Sequence, residues 1–184
     1  MIDLGLTDAA LRGEWWRLWT GHFVHWDAQH LAANAVAALV PFLALPNRMR
    51  MKMLIWGAAA APLLSLFVLA FAPRGEMRGA SGLAAGFWVF AGIALLRSGE
   101  RRLGLMLLGA LAMKLIAEAS GFVQPHAGYV TLSMLHYAAA VLAAGAACAI
   151  DRERFTTETQ RTQSSTEEHR GAQRSTEGVS RVFG

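Results

Sequence analysis

Residues 53–72 form a run of 20 without a single Asp, Glu, Lys or Arg. A helix that crosses a bilayer core needs about 17–25 such residues. A surface helix of a soluble domain carries a polar face that would interrupt them. The run therefore restricts the chain to a membrane span or a helix buried on every side. Composition decides between these, with 54% hydrophobic residues against 16% charged. Four further apolar runs, at 28–45, 79–96, 103–117 and 127–150, repeat the pattern. The reading is an all-α polytopic membrane protein with five transmembrane helices.

The charges sit at the edges of these runs and set an orientation. The segment 46–52 carries Arg48, Arg50 and Lys52, and 97–102 carries Arg97, Arg101 and Arg102. The alternate connections differ. In 73–78, Glu76 stands against Arg74 and Arg78, and 119–126 has no Asp, Glu, Lys or Arg. Short cytoplasmic loops accumulate Lys and Arg, so the first pair and the C-terminus are expected inside and the N-terminal segment outside. The pI near 10 then reflects topogenic charge. No basic stripe points to nucleic acid, and none is expected as a partner. The single Cys148 excludes a disulfide framework.

Three domains follow: an outer interfacial segment at 1–27, a transmembrane domain at 28–150 and a tail at 151–184. The first holds Trp15, Trp16, Trp19 and Trp26, four of six tryptophans, and indoles favour the membrane–water boundary. The tail holds 6 Arg and 6 acidic residues among Ser, Thr and Gln, leaving 11 basic and 7 acidic residues in 1–150. Such a composition buries too little apolar surface to order itself, so the tail is expected to be disordered and cytoplasmic. Between Lys114 and Glu118 the spacing is i,i+4, which lets them pair near a membrane surface.

Polar groups inside a bilayer are costly and ask for a reason. Ser81 lies in Gly79-Ala-Ser81-Gly82 at the outer end of the third run, where Gly82 and Gly86 offer a small-residue face. His136 lies in the fifth run and enters from the same side, so the two can meet. A neutral imidazole is a suitable acceptor for a serine proton. His30 and Asn34 stand one turn apart and can aim two donors at one point, as an oxyanion hole requires. With no acidic residue expected beside His136, a Ser–His dyad is implied. Helix packing and interhelical hydrogen bonding remain the plainer explanation for each cluster taken alone.

Together these residues resemble the rhomboid family of intramembrane serine proteases. Trp16-Arg17, His25, His30-Leu-Ala-Ala-Asn34, Gly79-Ala-Ser81-Gly82 and His136 match its motifs in order, over about residues 12–150. The resemblance implies a rhomboid-like helix bundle that cleaves transmembrane protein substrates within the lipid bilayer, without cofactor or metal. It implies Ser81 as nucleophile, His136 as base, and His30, Asn34 and the Ser81 N–H as oxyanion donors. His25 would be structural, Trp16 and Arg17 would anchor the outer loop, and Gly79 and Gly82 belong to the motif. Ala139 and Ala143 replace the family's usual glycines, and Ala85 replaces a common aromatic ring. The family's first helix has no counterpart in these residues. Lys114-Leu-Ile-Ala-Glu118 also resembles the rhombosortase branch, whose substrates carry a C-terminal Gly-Gly sorting tail. A multi-pass protein of a bacterial inner membrane is expected.

Two other functions fit parts of the sequence. One is an inactive rhomboid-like binding protein. The other is a metal-binding membrane protein using His22, His25, Asp27 and His30, with His126 also outside.

Overall fold

A computed structural model describes residues 4–71, 77–120, 135–136 and 138–149. The chain divides into two compact units, Met1–Ala147 and Cys148–Gly184, and the account below concerns the first. The disorder expected of the tail lies outside the described residues, as do His126 and the connections around it.

The described residues are helical, apart from loops and one isolated antiparallel bridge between Leu6 and Met77. A 3-10 turn at Asp8–Arg12 leads to the short helix α1, Arg17–Thr20. The longer helices are α2 (Ala28–Ala44), α3 (Asn47–Phe71), α4 (Ser81–Arg97), α5 (Arg101–Ala119) and α6 (Ala138–Ala149). Each falls on one of the five apolar runs. Among the described residues α3 alone is long and apolar enough to cross a bilayer by itself, and α2, α4 and α6 are shorter apolar helices. Five full spans are therefore more than these lengths show.

Helix α3 begins six residues before its apolar run because Pro46 starts it. The Pro46 carbonyl accepts from Met49 at 2.9 Å and Arg50 at 3.0 Å, and the basic residues that follow are good helix formers. Arg50 then turns back to the end of α2, where its guanidinium donates to the carbonyls of Leu45 (2.7 Å) and Leu43 (3.0 Å). Those carbonyls have no partner within their own helix. At the other end of α2, Asp27 caps the first turn by accepting from the His30 N–H at 2.7 Å.

Prolines inside two helices define the joints of the bundle. Proline has no N–H, so it strands the carbonyl four residues earlier. Pro41 in α2 leaves Ala37 without its donor, and the Trp88 indole of α4 donates to that oxygen at 2.7 Å. Pro62 in α3 leaves Ala58 in the same position, and the Trp19 indole fills the gap at 3.0 Å. Away from water such a carbonyl must find a partner within the protein.

Helix α4 is the centre of the bundle, packed against α5, α2 and α3. Glycines set its two closest approaches. A side chain at Gly104 of α5 would come 2.8 Å from the Gly92 carbonyl, so α4 and α5 touch nearly backbone to backbone. A Cβ at Gly86 would lie 2.1 Å from the Trp56 ring of α3. Gly82 meets a different neighbour, Leu135, at 2.8 Å. The expected common face of Gly82 and Gly86 is thus two faces, divided between an indole of α3 and the residue beside His136. The outward side chains are apolar; Met113 and Val141 are 72% and 71% exposed. That inverted arrangement suits lipid and not water.

Candidate active site

The backbone just ahead of α4 is held by the N-terminal segment. Leu6 and Met77 exchange hydrogen bonds of 3.1 and 3.2 Å, and the Gly79 N–H donates to the Gly21 carbonyl at 3.0 Å. The segment is fixed in turn. Arg17 is buried and donates to the Gly5 carbonyl at 2.6 Å and to Glu14. Thr20 donates to the Leu4 carbonyl at 2.8 Å, and Ser65 of α3 donates to the Leu18 carbonyl at 2.7 Å. The indoles of Trp15 and Trp16 meet edge to face, and Trp16 is 41% exposed.

Gly79 has φ +123°, a conformation that glycine tolerates and other residues adopt at a cost. It also needs the space. A Cβ there would lie 2.7 Å from Cε1 of His30 and 3.1 Å from Nδ2 of Asn34. The structure therefore brings His30 and Asn34 of α2 against the residue two positions before Ser81.

Ser81 is the first residue of α4, so its N–H belongs to the leading amides that have no intrahelical acceptor. These amides and the helix dipole favour negative charge at this point. The Ser81 side chain opens into a cavity of about 150 Å³, shared with Asn34, Ala85, Trp88, Leu111 and Lys114. Asn34 is buried, and its Nδ2 has no hydrogen-bond partner among the described residues. A buried donor of this kind normally finds an acceptor, and Asn34 is among the residues that line the cavity with Ser81.

His136 is completely buried. Its neighbour Leu135 packs on Gly82, which places the imidazole's chain beside the start of α4. Ala139 and Ala143, both fully buried, continue the small-residue stripe below it. Neither ring nitrogen has a hydrogen bond of good geometry among the described residues, so His136 and Ser81 are not bonded to each other. Catalytic hydrogen bonds are often long before substrate binds.

The structure overturns one expectation, that no acid lies near His136. Glu118 of α5 is buried, and its Oε2 stands 3.4 Å from His136 Nδ1. Its other oxygen, Oε1, accepts from Lys114, the pairing expected from the sequence. Helix register explains the meeting. From the Gly92–Gly104 contact, Ser81 is 11 residues back along α4 and Glu118 is 14 residues on along α5. At 1.5 Å per residue in antiparallel neighbours, both lie roughly 17–21 Å toward the same end. The Lys114 spacing offered the visible partner, and the second partner came from the next helical stretch, 18 residues on.

The histidines of the N-terminal segment do not converge. His22 is buried against α3, with Nε2 3.0 Å from the Ala61 carbonyl and 3.1 Å from Ser65 Oγ. The Ser65 hydroxyl proton goes to Leu18, so His22 donates from Nε2 to both oxygens. Burial lowers the His22 pKa, against the smaller opposing effect of the Ala61 bond. His25 bonds the Phe23 carbonyl at 3.1 Å and meets the His30 ring edge to face at 5.0 Å. Asp27 is engaged as the cap of α2. Among the described residues no three His, Cys, Asp or Glu side chains form a group able to hold a metal ion.

The Rhomboid domain family matches residues 12–125. The match takes in Trp16, Arg17, His25, His30, Asn34, Gly79, Ser81 and Gly82, and stops short of His136. No curated protein and no solved structure gives a match. With more than half of its length matched, the chain belongs to the rhomboid family of membrane proteins, which are generally intramembrane serine proteases acting on transmembrane substrates.

Proposed function

We propose that this protein is an active serine endopeptidase of the membrane, with Ser81 as nucleophile and His136 as general base. The observation that carries the reading is that Ser81 and Asn34 line one cavity, with an Asn34 Nδ2 that has no hydrogen-bond partner among the described residues. An oxyanion formed on a substrate carbonyl there would meet a donor already stripped of water.

In the reaction, His136 takes the proton of the Ser81 hydroxyl as Oγ attacks the scissile carbonyl carbon. The carbonyl's π pair moves to oxygen, where Asn34, His30 and the Ser81 N–H stabilise the charge. The C–N bond then breaks and the imidazolium gives its proton to the leaving amine. Water, deprotonated by the same imidazole, attacks the acyl carbon, and the imidazolium returns the proton to Ser81 Oγ as the C–Oγ bond breaks and the acid leaves. His25 holds the His30 ring, and Trp16 and Arg17 anchor the outer segment.

The orientation that fits the charge pattern is multi-pass, with the site near the outer face and 151–184 cytoplasmic, in a bacterial inner membrane. Residues 1–27 form its interfacial segment and 28–150 its transmembrane domain. Substrates are membrane-anchored proteins. Lys114-Leu-Ile-Ala-Glu118 supports the rhombosortase branch, for which a protein with a C-terminal Gly-Gly tail is the substrate to try.

The test is covalent labelling of purified protein by a fluorophosphonate. Ser81 is expected to label, Ser81→Ala to be inert yet normally folded, and His136→Ala to lose nearly all labelling. Labelling that persists in Ser81→Ala would defeat the assignment. The absence of a Ser81–His136 hydrogen bond favours the second reading, an inactive rhomboid-like binding protein. That protein would not label in any form.

A further inference from the structure

We infer that Glu118 is a positioning residue for His136, making the site a Ser81–His136–Glu118 arrangement in place of a two-residue dyad; this rests on the base role proposed for His136. Three observations converge on it. Glu118 and His136 are both buried, at 8% and 0% exposure, in a part of the bundle where an ionised carboxylate needs partners. Glu118 Oε2 is 3.4 Å from Nδ1, the nitrogen on the far side of the ring from Nε2. Nε2 itself has no partner among the described residues, so it is available for the serine proton.

The chemistry of imidazole links these facts. A neutral ring carries one proton, and its acceptor function lies on the other nitrogen. A carboxylate beside Nδ1 selects the tautomer protonated there and leaves the Nε2 lone pair free to accept a proton. When Nε2 takes the serine proton, the ring becomes cationic and the adjacent anion stabilises it. The carboxylate takes no proton itself. Lys114 donates to Oε1 and so fixes the carboxylate's rotamer, which leaves Oε2 for the histidine. Lys114 and His136 are the titratable groups in contact with Glu118 among the described residues. The aromatic ring that many rhomboid proteases stack on the histidine is Ala85 here, so alignment of the imidazole has to come from elsewhere. Glu118 supplies it from the opposite helix.

The experiment compares rates of fluorophosphonate labelling against pH in full-length wild type, Glu118→Gln, Glu118→Asp, Lys114→Met and His136→Ala. Glu118→Gln is expected to label at least tenfold more slowly. Its acidic limb should move to lower pH, because the imidazole loses the anion that favours its charged form. Glu118→Asp should recover part of the rate and of the shift. Lys114→Met, which leaves the carboxylate beside Nδ1, should slow labelling less than Glu118→Gln. An unchanged rate and profile in a folded Glu118→Gln protein would overturn the inference while His136→Ala, inert, upholds the base. Equal losses in Glu118→Gln and Lys114→Met without a pH shift would also overturn it, reducing Glu118 to an ion-pair partner. Should His136→Ala label like wild type, the base assignment and this inference fall together.

Discussion

Gly79 and His30 touch so closely that a single methyl group cannot be placed between them: a Cβ on Gly79 would lie 2.7 Å from His30 Cε1. The glycine also has φ +123°, so alanine there meets both backbone strain and a ring. Strain of this kind costs about 1–3 kcal/mol. Gly79→Ala is expected to lower the melting temperature and to slow Ser81 labelling more than the loss of fold explains, because the displaced ring is a proposed oxyanion donor. Labelling at the wild-type rate would show that His30 does not act there.

Asn34→Ala removes a donor whose Nδ2 has no partner among the described residues, so it breaks no hydrogen bond seen in the fold. Stability should change little. Turnover of a peptide or protein substrate should fall by roughly 10²–10³, the usual result of losing one oxyanion donor, about 2.7–4 kcal/mol. A melting temperature that falls while kcat holds would assign Asn34 to packing.

Trp88→Phe keeps an aromatic ring and removes the donor to the Ala37 carbonyl. An orphaned buried carbonyl costs about 1–3 kcal/mol. The double variant Pro41→Ala, Trp88→Phe restores a backbone N–H at position 41 and should recover much of that loss. Thermal unfolding in detergent of the two single variants and the double variant measures the coupling.

His22 gives the fold an acid-sensitive point. Its pKa is lowered in the folded state, so the unfolded chain binds the proton more readily. Stability from neutral His22 is present above about pH 6.5, the unperturbed value, and is lost as pH falls through and below it. The melting temperature of wild type should therefore decline over that range more steeply than that of His22→Gln, which keeps a side-chain donor but cannot be protonated. Parallel curves would place the acid sensitivity in another group.

The sequence made the helices and the serine's neighbourhood legible because both are written locally. Apolar runs located α2 to α6, and the Gly79-Ala-Ser81-Gly82 motif anticipated a tight approach at the start of α4. The i,i+4 spacing likewise gave the single face of His30 and Asn34 and the Lys114–Glu118 pair. Which helix meets which residue is not local. Gly86 shows it: the same small residue could have faced α6 beside Gly82, but the bulky Trp56 of α3 fills that space. Glu118 shows it again, since Lys114 already accounted for its charge and nothing in its spacing pointed to His136. The early start of α3 was hidden because Arg48, Arg50 and Lys52 end an apolar run without ending a helix.

The two proline–indole joints carry a consequence for how this chain tells its own helices apart. In lipid, one apolar helix face resembles another, and burial alone gives little preference among partners. A carbonyl stranded by Pro41 accepts only from a donor at one height and in one direction, and so does the carbonyl stranded by Pro62. Trp88 and Trp19 are long, rigid and equipped with a single N–H, which makes each a key for one such lock. The prolines thus act as addresses: they name α4 as the neighbour of α2 and the N-terminal segment as the neighbour of α3, in a medium where hydrophobicity cannot spell.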